Sequence, residues 1–522
     1  MPETVTSSLV DELGLDQARI ARCRHRARQI VGALMPEIKA RSTDSIERAV
    51  LRFWGVEGGL KGGIPLVNAV VERLKRAGRI AGGVAAPVAA LVARTGRSVG
   101  EVCSDIATDA LPWPSEAECA EPSTRATALE LSRKGEERIR AAVAARSASR
   151  ETLGESAPPW LYVIVATGNI YEDIKQAVSA VSAGADCIAV IRSTAQSLLD
   201  YVPERATTEG FGGTYATGAN FAIMREALDG AGRRAGRYIR LVNYASGLCM
   251  PEISVLAAQH RLDMLLNDSM YGIIFRDIHR MRTLVDQYVS RRLCAAARII
   301  INTGEDNYLT TADPVEAAHT VLASQFINES FALEAGLPPS LMGLGHAFEV
   351  DPRLENSLLY ELATALLVRA VFPEAPIKYM PPTRHKTGDI FFSHALDCMF
   401  NLASVATEQA IHLCGMLTEA LHTPFLQDRF ISLETARYIR SAASDLRDEI
   451  TFRPGGFISR RAAAVLAETE QLLDRIARGG LLQALAEGVF ADIKRPADGG
   501  RGAEGVFTKS DSYLDAFEGV GL

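Results

Sequence analysis

Nothing in the 522 residues is long and apolar enough to span a bilayer, since no stretch approaches the roughly 20 apolar residues required. The start, Met1-Pro2-Glu3-Thr4, also lacks the basic region and apolar core of a signal peptide, so a cytoplasmic protein with no membrane partner is expected. Basic excess is missing too. A net charge of −7 and pI near 5.8 give no surface that argues for nucleic acid. The eight cysteines (Cys23, Cys103, Cys119, Cys187, Cys249, Cys294, Cys398 and Cys414) contain no Cys-x-x-Cys, which signals neither a disulfide framework nor a zinc site. They read as buried small hydrophobes. Lysine is scarce, at nine residues.

What is present is a change of texture along the chain. Single domains commonly hold about 100–250 residues, so two or three are expected here. Residues 1–155 read as helical: Asp44 with Glu47 resembles a capping box for a helix over 45–54, and 123–149 keeps helical spacing throughout. Gly55–Gly63 and Gly78–Gly83 punctuate this region as loops, and Pro158-Pro159 marks its end. From Trp160, short apolar runs alternate with helical patterns, at 161–167, 186–192, 238–244, 262–267, 298–303, 341–346, 375–380 and 411–417. Strands alternating with helices imply parallel pairing, and eight repeats suit an α/β fold of the (β/α)8 TIM-barrel type. An open doubly wound sheet is the rival. The expected organisation is an N-terminal helical accessory region over 1–155, a barrel over 156–425, and a C-terminal helical extension and tail over 426–522.

The stretch 298–313 is the most informative. Its β-branched run suits a strand buried on both faces, with Glu305, Asp306 and Asn307 just beyond its carboxyl end. Asp313 then reads as the N-cap and Pro314 as the first residue of the next helix.

In a barrel, chemistry belongs at the carboxyl ends of the strands. The residues there include Asn169, Glu172 and Asp173, then Arg192 to Ser197, then Ser246 and Glu252, then Asp268, Tyr271 and Arg276. After them come Glu305, Asp306, Asn307, His346, Glu349, Lys378, Glu419 and His422. Arg192, Ser193, Thr194, Ala195, Gln196 and Ser197 combine a cation, hydroxyls and a turn, which suits a phosphate or an ordinary polar loop. Arg276 offers a second cation or a structural ion pair, and Tyr271 a stacking ring or simple packing. Glu305, Asp306 and Lys378 could form a buried salt bridge or bind the charged groups of an amino acid. His346 and His422 lack metal-ligand spacing and read as structural.

Seven motifs carry a resemblance: 163–173 (VIVATGNIYED), 198–203 (LLDYVP), 207–216 (TTEGFGGTYA), 246–252 (SGLCMPE), 300–311 (IINTGEDNYLTT), 378–383 (KYMPPT) and 488–496 (GVFADIKRP). On these the chain resembles the α subunits of lysine 5,6-aminomutase, an isomerase family. The resemblance implies a barrel that holds pyridoxal 5'-phosphate (PLP). It also implies a smaller β subunit that binds adenosylcobalamin and supplies the lysine that tethers PLP, in an α2β2 heterotetramer. The scarcity of lysine fits, as does the lack of an Asp-x-His-x-x-Gly cobalamin motif.

By the same resemblance, Arg192, Ser193, Thr194, Ala195, Gln196, Ser197, Ser246, Tyr271, Arg276 and Asn307 contact PLP, and Asp306 with Lys378 binds the substrate. No metal ligand and no catalytic acid or base is implied on this chain. Ala195 departs from the glycine expected there, which bears on the backbone of that loop. The implied reaction is a radical 1,2-shift of the terminal amine of D-lysine or L-β-lysine from carbon 6 to carbon 5. Two other readings are a D-ornithine 4,5-aminomutase type of subunit and a non-catalytic barrel scaffold.

Overall fold

Eight parallel strand positions close into a barrel in the computed structural model, which describes residues 5–191 and 195–518. Outside the barrel, β1 (Arg41–Thr43) precedes it and β11 (Val506–Thr508) follows it. The barrel strands are β2 (Trp160–Val165), β3 (Cys187–Val190), β4 (Arg240–Tyr244), β5 (Met264–Leu266), β6 (Ile300–Asn302), β7 (Met342–Gly343), β8 (Gly345–Ala347), β9 (Lys378–Met380) and β10 (Ile411–Leu413). Every predicted apolar run overlaps one of them.

Neighbours pair in chain order, and β10 pairs with β2. The sixth strand is split at Leu344: β7 pairs with β6 and β8 with β9, so one short segment joins the two edges. This closure excludes the open doubly wound sheet. Tyr162, Cys187, Ala189, Val242, Met264, Ile300, Ile411 and Leu413 fill the barrel interior, as alternate side chains must in a barrel this narrow. The outward faces join the large core beneath the helices.

Local signals set the helices that follow the strands. Asn169 caps Ile170–Ala183 through Tyr171 N at 3.0 Å, and Asp389 caps Ile390–Ala406 through Phe391 N at 3.0 Å and Phe392 N at 3.1 Å. Gly184 and Gly236 end two helices in the left-handed region, where a Cβ would be strained.

The N-terminal helices sit against the barrel. Helix Gln17–Lys39 packs on Ala318–Glu334 and Phe457–Gly479. Arg48 and Arg52 of helix Asp44–Phe53 reach the buried Glu252, just past the third barrel strand, and Arg48 also pairs with Asp200. β1 pairs antiparallel with β11, which brings the two ends of the chain together.

Three expectations are corrected. The N-cap of helix Asp44–Phe53 is Thr43, whose Oγ1 accepts from Ile46 N at 3.2 Å. Glu47 instead turns inward and accepts from Ser42 Oγ, Val84 N and Tyr513 OH at 2.6–2.8 Å. Pro314 does not start the following helix, which runs Ala318–Glu334; Asp313 caps only a turn, through Val315 N and Glu316 N. A separate short helix, Asp306–Thr311, occupies the predicted polar loop. Six of the cysteines are buried, but Cys119 and Cys398 are partly exposed. No helix among the described residues is long and apolar enough to cross a membrane.

Candidate active site

A cavity of about 330 Å3 opens at the carboxyl ends of the barrel strands, lined by Tyr244, Tyr271, Asp306, Asn307, Lys378, Glu419 and Arg429 over an apolar wall that includes Ile164, Leu266, Leu413 and Met416. That size and mixture are typical of a small-molecule site. Two larger clefts, of about 690 and 1300 Å3, lie at the opposite end, against Met342, Trp160 and Ala410 where strands begin. Volume therefore does not select the site; the convergence of charged side chains does.

On one side, the loops after β3 and β4 are joined. Leu248 N donates to Ser197 O at 3.0 Å, and Gln196 Nε2 donates to Gly213 O at 3.0 Å. Gln196, Ser197 and Ser246 are all buried, and Ser246 Oγ donates to Leu266 O at 3.3 Å. Arg192, Ser193 and Thr194 lie outside the described residues; Ala195 begins the 3-10 turn that carries Gln196 and Ser197.

Tyr271 opens the short helix Tyr271–Arg276. The guanidinium of Arg276 sits 4.8 Å from the centre of the Tyr271 ring and donates to its hydroxyl. Arg276 Nη1 donates to Phe275 O at 2.9 Å, while Nε is buried with no hydrogen-bond partner among the described residues. Asp268 fixes this helix, accepting from Met270 N and Tyr271 N at 2.7 Å each.

Facing it is the turn after β6. Asp268 also accepts from Gly304 N at 2.7 Å, and a Cβ on Gly304 would lie 2.7 Å from the Tyr271 ring. Only glycine lets the ring approach this backbone. Asp306 Oδ2 accepts from Lys378 Nζ at 2.8 Å, with both side chains almost wholly buried. Burial pushes the Lys378 amine down, but the Asp306 carboxylate more than reverses this and holds it charged above the usual lysine range. Burial raises the Asp306 carboxyl while Lys378 pulls it back. Asn307 Nδ2 donates to Gly304 O at 3.1 Å and to Asp306 Oδ1 at 3.3 Å.

Other candidates separate from this set. Glu305 turns away from the cavity, accepting from Asn328 Nδ2 at 2.6 Å and Gly345 N at 3.1 Å; burial and the nearby charge of Asp268 push its carboxyl up to about 8. His346 is buried on the outer face of β8, stacked 5.3 Å from Tyr379, and burial holds its ring neutral with a pKa of about 3. His422 is exposed against Phe425. Lys386 is buried and held by Asp397 at 2.7 Å, Glu419 at 3.2 Å and Met416 O at 3.0 Å. Among the described residues no cluster of His, Cys, Asp or Glu is arranged to hold a metal.

Sequence reasoning missed Arg429. It belongs to helix Leu426–Ala442, beyond the last strand, and spans the rim by donating to Ile164 O at 3.1 Å and Pro424 O at 2.7 Å. No local motif marks it. Asn328 and Arg291 were missed for the same reason.

A family model described as the D-lysine 5,6-aminomutase TIM-barrel domain of the alpha subunit matches residues 13–520. The lysine 5,6-aminomutase alpha subunit of Acetoanaerobium sticklandii is 50% identical over 510 residues, covering 98% of each chain. That of Fusobacterium nucleatum is 49% identical over 507 residues, covering 97% of this chain and 98% of its own. The D-ornithine 4,5-aminomutase subunit beta of Acetoanaerobium sticklandii is 25% identical over 385 residues, 70% of this chain and 51% of that protein. With a closed eight-position barrel, a charged cavity at its carboxyl end, a family model over residues 13–520 and two lysine 5,6-aminomutase relatives over 97–98% of its length, the chain belongs to the lysine 5,6-aminomutase alpha-subunit family.

Proposed function

We propose that this chain is the PLP- and substrate-binding subunit of an adenosylcobalamin-dependent aminomutase that moves the terminal amine of D-lysine or L-β-lysine from carbon 6 to carbon 5, with a cobalamin-binding β subunit as its partner. The observation that carries this reading is the buried Lys378–Asp306 pair exposed to a cavity that also receives Tyr271. A cation and an anion at a fixed spacing suit the carboxylate and ammonium at the end of a lysine remote from the migrating amine.

The residues present fit PLP. Arg276, Ser246, Gln196 and Ser197 offer a guanidinium, a hydroxyl and a polar turn on adjacent loops, and the orphaned Nε of Arg276 is a donor that an anionic ester would satisfy. Tyr271 offers a ring face beside them. Both lysines near the site are engaged, Lys378 with Asp306 and Lys386 with Asp397 and Glu419. That supports a tethering lysine donated by the partner.

When bound, PLP would carry the migrating amine and cobalamin would start the radical chemistry. The work of this chain is then orientation. Lys378 and Asp306 fix the register of the substrate, so that binding energy at the remote end positions carbons 5 and 6. Ile164, Leu266, Leu413 and Met416 form a dry wall that keeps water from the reacting carbons. Activity on D-ornithine is the second reading, resting on the more distant ornithine relative.

The test is direct. The chain is combined with the cobalamin-binding subunit of the same organism, PLP and adenosylcobalamin, and D-lysine, L-β-lysine and D-ornithine are assayed by mass-resolved amino-acid analysis. Rearrangement of a lysine isomer that needs both cofactors is expected. A complex that binds both cofactors and rearranges neither lysine isomer would overturn the reading.

A further inference from the structure

Asn328 lies on the helix Ala318–Glu334, outside the barrel, yet it is fully buried and uses the whole bonding capacity of its amide. Its Nδ2 donates to Glu305 Oε1 at 2.6 Å and Asp268 Oδ2 at 3.3 Å. Its Oδ1 accepts from Ser269 N at 3.1 Å and Arg291 Nη2 at 2.7 Å. The partners of the oxygen can only donate and carboxylates face the nitrogen, so the amide has one sensible orientation. Its backbone carbonyl accepts a further bond from Arg291 Nη1 at 2.7 Å.

Each carboxylate in turn holds a piece of the site. Asp268 fixes the first turn of the helix carrying Tyr271 and Arg276, and also the N–H of Gly304. Glu305 precedes Asp306 and Asn307 and holds Gly345 N at 3.1 Å, and a Cβ on Gly345 would lie 2.8 Å from Asp306 Oδ1. One side chain thus links the segments that follow β5 and β6 and, through Glu305, the start of β8.

We propose that Asn328 is a positioning residue for the aminomutase site: by bridging Asp268 and Glu305 it fixes the Tyr271 helix against the turn that carries Asp306 and Asn307. The spacing between the cofactor-side ring and the substrate-side ion pair is then set from outside the cavity. This rests on the functional reading above, but the bridge itself is a property of the free chain.

The charges are arranged to suit. Arg291 is buried beside Asp268 and Glu305, and burial together with Asp268 pushes the Glu305 carboxyl up to about 8. The titratable groups that bear on Glu305 are Asp268 from the loop before Tyr271, Arg291 from helix Arg280–Ala296, and Tyr308 from the short helix that Glu305 precedes. As pH rises through about 8, Glu305 ionises beside Asp268 and the bridge is strained by like-charge repulsion.

The experiment compares wild type with Asn328→Ala and Glu305→Gln. In the cofactor-free chain, Asn328→Ala should lower hydrogen-exchange protection at Met270, Tyr271 and Gly304 by about tenfold or more, while strand β2 keeps its protection. In the reconstituted complex, kcat should fall on the order of tenfold to a hundredfold, with KM and PLP occupancy nearly unchanged. Unaltered protection at those three amides, an equal loss across the chain, or wild-type kcat would overturn the proposal.

Glu305→Gln decides the matter should Asn328→Ala fail to fold. Wild type should lose protection at the three amides as pH rises from about 4.5 to about 8, and Glu305→Gln, which has no proton to lose, should show no such pH dependence. A wild type with no such loss, or a Glu305→Gln variant that still shows it, would count against the bridge. Because exchange is read without cofactors or turnover, failure of the lysine activity would leave this arm intact.

Discussion

Replacing Lys378 and Asp306 singly and together separates a recognition pair from a structural salt bridge. The two charges are 2.8 Å apart and almost fully buried. At an effective dielectric of about 20 their attraction is about 6 kcal/mol, much of it offset by the desolvation of both ions. Removing one partner strands the other, at a cost of roughly 3–5 kcal/mol if it stays charged. Asp306 escapes part of that cost, because burial already raises its carboxyl and without Lys378 it would take up a proton. Lys378 escapes part of it likewise, because burial pushes its amine down once Asp306 is gone, so both single variants should be destabilised by less than a fully stranded charge implies.

The double variant Lys378→Met/Asp306→Leu leaves no buried charge at the pair and should recover most of the stability of wild type. Turnover is the deciding readout. If the pair holds the remote end of the substrate, loosening that end by about 1 Å costs on the order of a hundredfold in rate, and the double variant stays inactive although stable. The assay is a thermal midpoint of the free chain, beside kcat and KM in the reconstituted complex and the PLP absorption spectrum. Recovery of both the midpoint and turnover in the double variant would refute the recognition role and leave a structural bridge.

Three further outcomes are expected. Arg276→Ala should weaken PLP binding by about 1.5–3 kcal/mol through loss of a charge-assisted contact, and unchanged affinity by spectroscopic titration would remove Arg276 from the cofactor site. Borohydride reduction of the resting complex should leave the phosphopyridoxyl label on the β subunit; peptide mapping that finds it on Lys175, Lys378 or Lys386 would contradict a tethering lysine from the partner. Glu252→Ala removes the partner shared by Arg48 and Arg52 at the junction between the N-terminal helices and the barrel, but leaves them Asp200 and Glu204, so the thermal midpoint should drop by an amount equivalent to about 1.5–3 kcal/mol. PLP affinity per folded molecule should not change, and a change there would link the junction to the site.

The sequence by itself determined the barrel strands and where candidate polar residues would gather. A run such as Arg298-Ile299-Ile300-Ile301 is legible as a buried strand because its β-branched side chains act over neighbouring residues. The polar residues after each strand follow from the geometry of any parallel barrel, which is why Asp306, Asn307 and Lys378 could be named before their distances were known.

Only the tertiary structure decided the rest. Thr43 rather than Asp44 caps its helix because Glu47 is drawn into a buried network with Val84 and Tyr513, partners remote in the chain. The split of the sixth strand at Leu344 follows from closing the sheet, which no local pattern encodes. Arg429 and Asn328 come from helices whose sequences carry no motif, and they meet the site only after folding brings 164 beside 429 and 268 beside 328. Short-range bonding is written in neighbouring residues; hydrogen bonds between distant ones depend on the closed barrel that holds both ends in place.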